Sequence, residues 1–313
     1  MGSLVGHVAP GFGFLVIGLW HLYNHIKLHA LLPDSYASLP WFPASKARYL
    51  ELYLIMLGCS LSISMELFIG PRSHHPFDSD GTIPSYHLHN FEHSEISTMF
   101  LVYAIFGVLL DRMGPRGIKN RLTQLLAALA FGQQLLLFHL HSSDHMGVEG
   151  QYHLLLQIVI AVSLSTTFMG IALPSSFLVS FVRSASISFQ GLWLIIMGFM
   201  LWTPEFMPKG CYMNLEEGHD VVRCSNHEAL HRAKSLVTIE FAWLLILVSV
   251  LSVSLYLILV KIYGNNTEYQ SLRKDIELGE ESDGAESQIT SRTEDTLQFV
   301  QDRDSFAPFN IGR

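Results

Sequence analysis

Apolar residues in this chain come in long runs separated by short polar segments. A helix needs about 20 mostly apolar residues to cross the hydrocarbon core of a bilayer. Seven runs meet that need: Val8 to Ile26, Tyr49 to Ile69, Phe91 to Leu110, Leu122 to Leu140, Tyr152 to Leu173, Ile187 to Trp202 and Leu236 to Ile262. The pattern predicts an all-α integral membrane protein, a seven-transmembrane helix bundle. The sixth run is the shortest and is closed by Pro204. No basic stretch precedes Val8, so the first run reads as a span and not as a cleaved signal peptide. After Ile262 the pattern changes. From Asn265 the chain is rich in Glu, Ser, Asp and Thr without an apolar period. The expected organisation is a transmembrane domain over residues 1–264 and an acidic disordered cytosolic tail over 265–313.

Composition supports a single membrane domain where the length of 313 residues would otherwise suggest two soluble ones. Half the residues are hydrophobic, mean hydropathy is +0.32, and 15% are charged, against about 25% in soluble domains. The net charge of −8 resides mostly in the tail, where eleven acidic residues face five basic ones. No basic patch is large enough for nucleic acid. The partners expected are the lipid bilayer and cytosolic proteins that meet the tail.

Lys and Arg in the short loops set the orientation. Lys27, Lys46 and Arg48 follow the first span, Arg112, Arg116, Lys119 and Arg121 the third, and Lys261, Arg273 and Lys274 the seventh. The opposite loops hold Arg72 only, apart from the long loop before the seventh span, where four basic residues are mixed with five acidic ones. The amino terminus is therefore expected on the exoplasmic side and the carboxyl terminus in the cytosol, in a membrane of the secretory pathway, the Golgi or another endomembrane, or in the plasma membrane. Cys211 and Cys224 share the long exoplasmic loop and can pair there, with two free thiols as the alternative. Cys59 lies inside an apolar run. Tyr269-Gln270-Ser271-Leu272 fits a tyrosine-based sorting signal, with Tyr269 and Leu272 as its anchors. The sequon Asn265-Asn266-Thr267 falls on the cytosolic side.

Sixteen histidines are the candidate chemistry. Thirteen map near the exoplasmic face, and only His21, His25 and His29 lie deeper or toward the cytosol. Pairs four apart share a helix face: His89 and His93 in H-x-x-E-H, His141 and His145 in H-x-x-D-H, His227 and His231 in H-E-x-x-H. Imidazoles spaced this way, with a carboxylate beside them, suit a metal ion, zinc above all. The candidate ligands are His93, His139, His141, His153, His231 and His7, with Glu66 in the same layer. Glu92 and Glu228 are the candidate general bases. His74, His75, His87 and His219 read as loop residues. Gly11, Gly18, His21 and His25 share one face of the first span, where glycines permit close approach and the histidines would hydrogen-bond between helices. Gln133, Gln134 and Gln190 suit the same role. Glu51 and Glu240 lie near enough to span ends to pair or snorkel.

Several motifs resemble those of the transmembrane protein 45 family, also described as domain of unknown function 716, whose plant members are viral-response-like proteins. They are Gly6-His7-Val8-Ala9-Pro10-Gly11 with Phe14, Gly18 and Trp20; His93-Ser94 with Ser97-Thr98-Met99; His139-Leu140-His141; His153; Gln190-Gly191-Leu192-Trp193; and His231. The resemblance covers Met1 to about Tyr263. It implies a multi-pass membrane protein of the secretory pathway or plasma membrane, and no established reaction. The segment from Glu92 to Ser97 looks longer than the animal pattern. Alkaline ceramidases and adiponectin receptors, seven-helix membrane zinc hydrolases, also place histidines at helix ends, an analogy at the level of fold alone.

Three function classes follow. The first is a zinc-binding membrane protein, extending to a zinc-dependent hydrolase with Glu92 or Glu228 as base. The second is a non-enzymatic adaptor or receptor-like protein in stress or pathogen response, with structural or pH-sensing histidines. The third is metal or proton transport, for which the cytosolic half of the spans offers His21, His25 and Glu51.

Overall fold

The computed structural model describes residues 4–69, 75–115, 117–140, 147–216 and 219–286, with Tyr86, 219–220 and 265–286 described by their backbone alone. Its helices are α1 (Leu4–Leu31), α2 (Leu50–Ser64), α3 (Leu88–Met113), α4 (Lys119–Leu140), α5 (Val148–Ala172), α6 (Phe177–Trp202) and α7 (His227–Glu286). α2 continues into a π-helical turn over Met65–Ile69. Among the described residues, seven helices are long and apolar enough to cross a membrane, the last over His227–Gly264. The seven-helix membrane architecture is the one that the hydrophobic pattern predicts. A two-stranded hairpin, β1 (Cys211–Glu216) and β2 (His219–Cys224), adds a small β element between α6 and α7. Cys211 and Cys224 face each other in its register and are joined by a disulfide.

The compact unit over Met1–Val260 is built from neighbours in sequence: α2 on α3, α3 on α4, α4 on α5, α5 on α6. α1 then packs along α6, so six helices form a ring whose last join, α1 to α2, is slight. α7 lies outside that ring. Phe241 stands edge-on to Phe189 and Trp193 at 5.0 Å, and the Tyr152 hydroxyl donates to Glu240 at 2.8 Å. In lipid, helix association depends on close van der Waals packing and interhelical hydrogen bonds. The α1–α6 seam supplies the first. A Cβ added at Gly18 would lie 2.4 Å from the Ser188 nitrogen, and one at Gly191 would lie 2.2 Å from the Leu15 nitrogen. Gln190 donates to Gln134 at 3.1 Å and supplies the second. The second compact unit, Lys261–Arg313, is described as far as Glu286, where the α7 helix runs on into the segment read as a tail. An existing helix extends at little cost once its nucleus is formed.

Two elements, α6 and α7, begin more than two helical turns earlier than the hydropathy predicts. α6 starts at Phe177 and not Ile187 because Ser176 caps it, accepting from the Val179 N–H. Its first turns carry Ser180, Arg183, Ser184, Ser186 and Ser188, all buried. Ser184 and Ser188 return their hydroxyls to carbonyls four residues back. These polar residues face protein, so a hydropathy window loses a helix that the bundle interior accepts. α7 starts at His227 and not Leu236, with the Asn226 side chain accepting from the Ala229 N–H at 2.8 Å, an N-cap arrangement.

Candidate functional site

A cavity of about 460 Å³ lies inside the six-helix ring, against the slight join between α1 and α2. Its walls are mainly apolar, and Val5, Leu54, Leu61 and Met65 on them are exposed. The cavity therefore opens sideways between α1 and α2, where a membrane would place hydrocarbon. Gly13 on α1 and Gly58 on α2 belong to its wall, and a Cβ at either would meet nothing within 4 Å. From Glu51 to Glu66 the α2 wall spans roughly 22 Å at 1.5 Å per residue. Both carboxylates line the cavity, one at each end.

At the end formed by the close of α1 and the start of α2, Glu51 is buried and fully engaged. Its Oε1 lies 2.7 Å from His21 Nε2, and its Oε2 accepts from Trp20 Nε1 at 3.0 Å and from the Phe42 N–H at 2.9 Å. The α1–α2 connection folds inward as a plug, burying Tyr36, Ser38, Trp41 and Phe42. Tyr103 secures it by donating to the Pro40 carbonyl at 2.7 Å.

Arg183 enters this end from α6 and is only 3% exposed. Its Nη2 donates to His25 Nε2 at 3.1 Å, Ser38 Oγ at 3.0 Å and the Leu39 carbonyl at 3.4 Å. Arg has no acceptor, so His25 Nε2 accepts, and a neutral imidazole then carries its proton on Nδ1. That Nδ1 donates to the Tyr36 hydroxyl at 2.8 Å. Burial pushes the Tyr36 phenol above its ordinary value, so it remains a neutral partner. Arg183 Nη1 has no hydrogen-bond partner in the protein. It lies beside Gly170, where an added Cβ would come within 2.9 Å of it and within 2.7 Å of Gln124 Nε2.

At the opposite end, Glu66 sits in the π-helical turn, an irregularity frequent at functional sites. Asn90 Nδ2 donates to it at 2.8 Å, and His93 Nδ1 lies 3.5 Å from its other oxygen. His7, also on the cavity wall, stacks on Trp202 at 4.4 Å and has the His153 ring 6.2 Å away. His153 packs in turn against Phe138 at 5.6 Å.

Among the described residues, the candidate ligands meet in pairs. Glu66 meets His93, and His7 meets His153. His139 is exposed and bonds Gln157 at 3.1 Å. His231 and Glu228 are exposed on the first turns of α7, and Glu92 is half-buried on α3. Among the described residues, no three His, Cys, Asp or Glu side chains converge as a metal site would require. His74 and His141 lie outside the described residues; Tyr269, Leu272 and His219 are described by backbone alone. His87 corrects a sequence expectation. Read as a loop residue, it ends a 3-10 turn and is 1% exposed.

The polar set expected from His21, His25 and Glu51 alone is also enlarged. Arg183, Gln124, Tyr103 and Thr167 line the same end of the cavity. The missed residue that matters most is Arg183. The available signal was its company: an arginine among serines spaced four apart, as on one helix face.

The motifs that suggest a family lie along these walls, with His7, Ala9 and Pro10 on α1 and His93 and Ser97 on α3. Residues 120–257, from α4 through most of the membrane span of α7, match the family of unknown function DUF716. The chain carries that domain, in agreement with the family it resembles by sequence.

Proposed function

We propose that this membrane protein binds a lipid-like amphiphile, admitted sideways from the bilayer between α1 and α2, and acts as a receptor-like or carrier protein. The observation that carries the reading is the apolar cavity open at the loosest join of the ring, with ionisable groups at both ends. Small-molecule sites are mainly apolar cavities of roughly 300–1,000 Å³ with a few convergent polar groups. Ionisable side chains within a span are costly and mark functional sites by default. Gly13 and Gly58 add to this, since each leaves space on the cavity side of its helix.

Native mass spectrometry of the full chain, released from native membranes, tests the proposal. Bound amphiphile should accompany the wild-type protein and be lost in Gly58→Leu, whose Cβ meets no protein atom within 4 Å and whose side chain takes up space in the cavity. Protein that carries and accepts no amphiphile would overturn it.

The basic residues around the first, third and seventh spans support an exoplasmic amino terminus, in the secretory pathway or plasma membrane. The Arg183 end of the cavity would then face the cytosol. A tag after Arg313 should be stained by antibody only in permeabilised cells.

A second reading keeps a zinc ion at the His7 end, favoured by the approach of Glu66 to His93. Together they would supply two of the four ligands of a tetrahedral site. Protein purified without added metal should hold one ion per chain and lose it in His93→Ala; folded, metal-free protein would remove this reading.

A further inference from the structure

The amphiphile reading leaves the headgroup open, and Arg183 supplies the chemistry to choose one. We propose that the cavity takes a single-chain fatty acid, its carboxylate bound by Arg183 Nη1 and its alkyl chain lying between Gly13 and Gly58. This rests on the amphiphile-binding reading above and adds the ligand class.

Three observations converge on it. First, Arg183 is buried and its cationic side chain meets only neutral partners, His25, Ser38 and the Leu39 carbonyl. A buried charge is stabilised when an opposite charge and a full set of hydrogen bonds accompany it; Glu51 acts on Arg183 only through space, and Nη1 has no hydrogen-bond partner in the protein. Secondly, the carboxylate at this end, Glu51, is committed to His21, Trp20 and the Phe42 N–H, and holds α2 and the plug to α1. It cannot turn to Arg183 without abandoning those donors. An anion from outside the chain can complete the hydrogen bonding of Arg183 Nη1 without displacing those donors. Thirdly, Arg183 and Gln124 line the end of an apolar cleft that runs most of the length of a span. An acceptor-only head at Arg183 leaves its tail in that cleft.

A monoanion suits the site better than a phosphate. Nη2 is already committed to three acceptors, and the nearby Glu51 disfavours further negative charge. A single chain suits it better than two, because the cleft is walled by facing helices and holds about 460 Å³. A carboxylate gives Nη1 a charge-assisted hydrogen bond, whereas a fatty alcohol or methyl ester brings no charge.

The test uses the purified full chain in nanodiscs and measures binding of oleate, oleyl alcohol and methyl oleate, with wild type compared with Arg183→Gln, Arg183→Lys and Gly58→Leu. Wild type should prefer oleate to its two neutral analogues by at least tenfold. Arg183→Gln should abolish that preference while still binding oleyl alcohol, which shows the cavity intact, and Arg183→Lys should restore part of it. Gly58→Leu should weaken all three ligands alike. Equal wild-type affinity for oleate and its neutral analogues would overturn the carboxylate assignment and leave the amphiphile reading standing. Oleate preference retained in Arg183→Gln would remove Arg183 as the anchor. Failure of all three ligands to bind would sink the amphiphile reading itself. If Arg183→Gln does not fold, the comparison of ligands on wild type still decides, since it varies only the headgroup.

Discussion

Helix α1 uses glycine in two opposite ways. On one side, Gly11 and Gly18 bring it so near α6 that an added Cβ would strike backbone or side-chain atoms at 2.8 Å and 2.4 Å. On the other, Gly13 faces α2 across open space. The first side makes a seam and the second a cleft. The same residue type excludes everything on one face and admits something on the other, and only the neighbouring helix distinguishes the cases. The contrast also assigns tasks: α6 holds α1 in place, while α2 is tied to it chiefly at one end, through Glu51.

That tie is where the comparison is most easily broken. Glu51→Ala would strand the His21, Trp20 and Phe42 donors and leave Arg183 in a site without any carboxylate. Breaking a buried charged contact on one side costs about 3–5 kcal/mol, so thermal unfolding in detergent should show a large loss of stability. A small loss would mean that α2 is held elsewhere.

The seam comes next. Gly191→Ala must push α1 away from α6, and overpacking of this kind costs about 1–3 kcal/mol. A melting temperature like that of wild type would show that the helices separate freely and that the seam is not the fixed side of α1.

Gly13→Ala and Gly58→Ala should do the reverse. Replacing glycine within a helix by alanine stabilises by about 0.5–1 kcal/mol where space allows, and the cleft offers space at both positions. Destabilisation by either would show that α1 and α2 close on each other.

The finest probe is Cys59, which lines the cavity, while Cys211 and Cys224 are joined to each other. An apolar thiol reagent should label it, and bound amphiphile should slow that labelling. Labelling at the same rate with and without amphiphile would place the ligand away from this wall.

Much of the fold was legible because lipid imposes one rule on every exposed face: apolar side chains over a fixed length, with the backbone satisfied within the helix. Leu50–Ile69 and Lys119–Leu140 fall almost where their runs of hydropathy predict. The starts of α6 and α7 were not legible, since Ser180, Arg183 and Ser184 are polar but face protein, and hydropathy cannot distinguish protein from water. The histidines show the same limit. Their spacing suggests a single layer of ligands, and the neighbouring helices decide which side chains meet: among the described residues, Glu66 meets His93, and His7 meets His153 beside Trp202.

By itself the sequence determined that there are seven spans, where most of them lie, and that His21 and His25 turn to the bundle interior with Gly11 and Gly18. Those properties follow from periodicity and transfer energy along one chain. Only the tertiary structure decided that α1 closes the ring against α6 and leaves a cleft toward α2. It also decided that Glu51 is consumed by three donors and that Arg183, 158 residues from His25, meets it and keeps one nitrogen free. Such facts depend on which helices become neighbours, and that choice is made by shape complementarity between faces that a one-dimensional pattern describes alike.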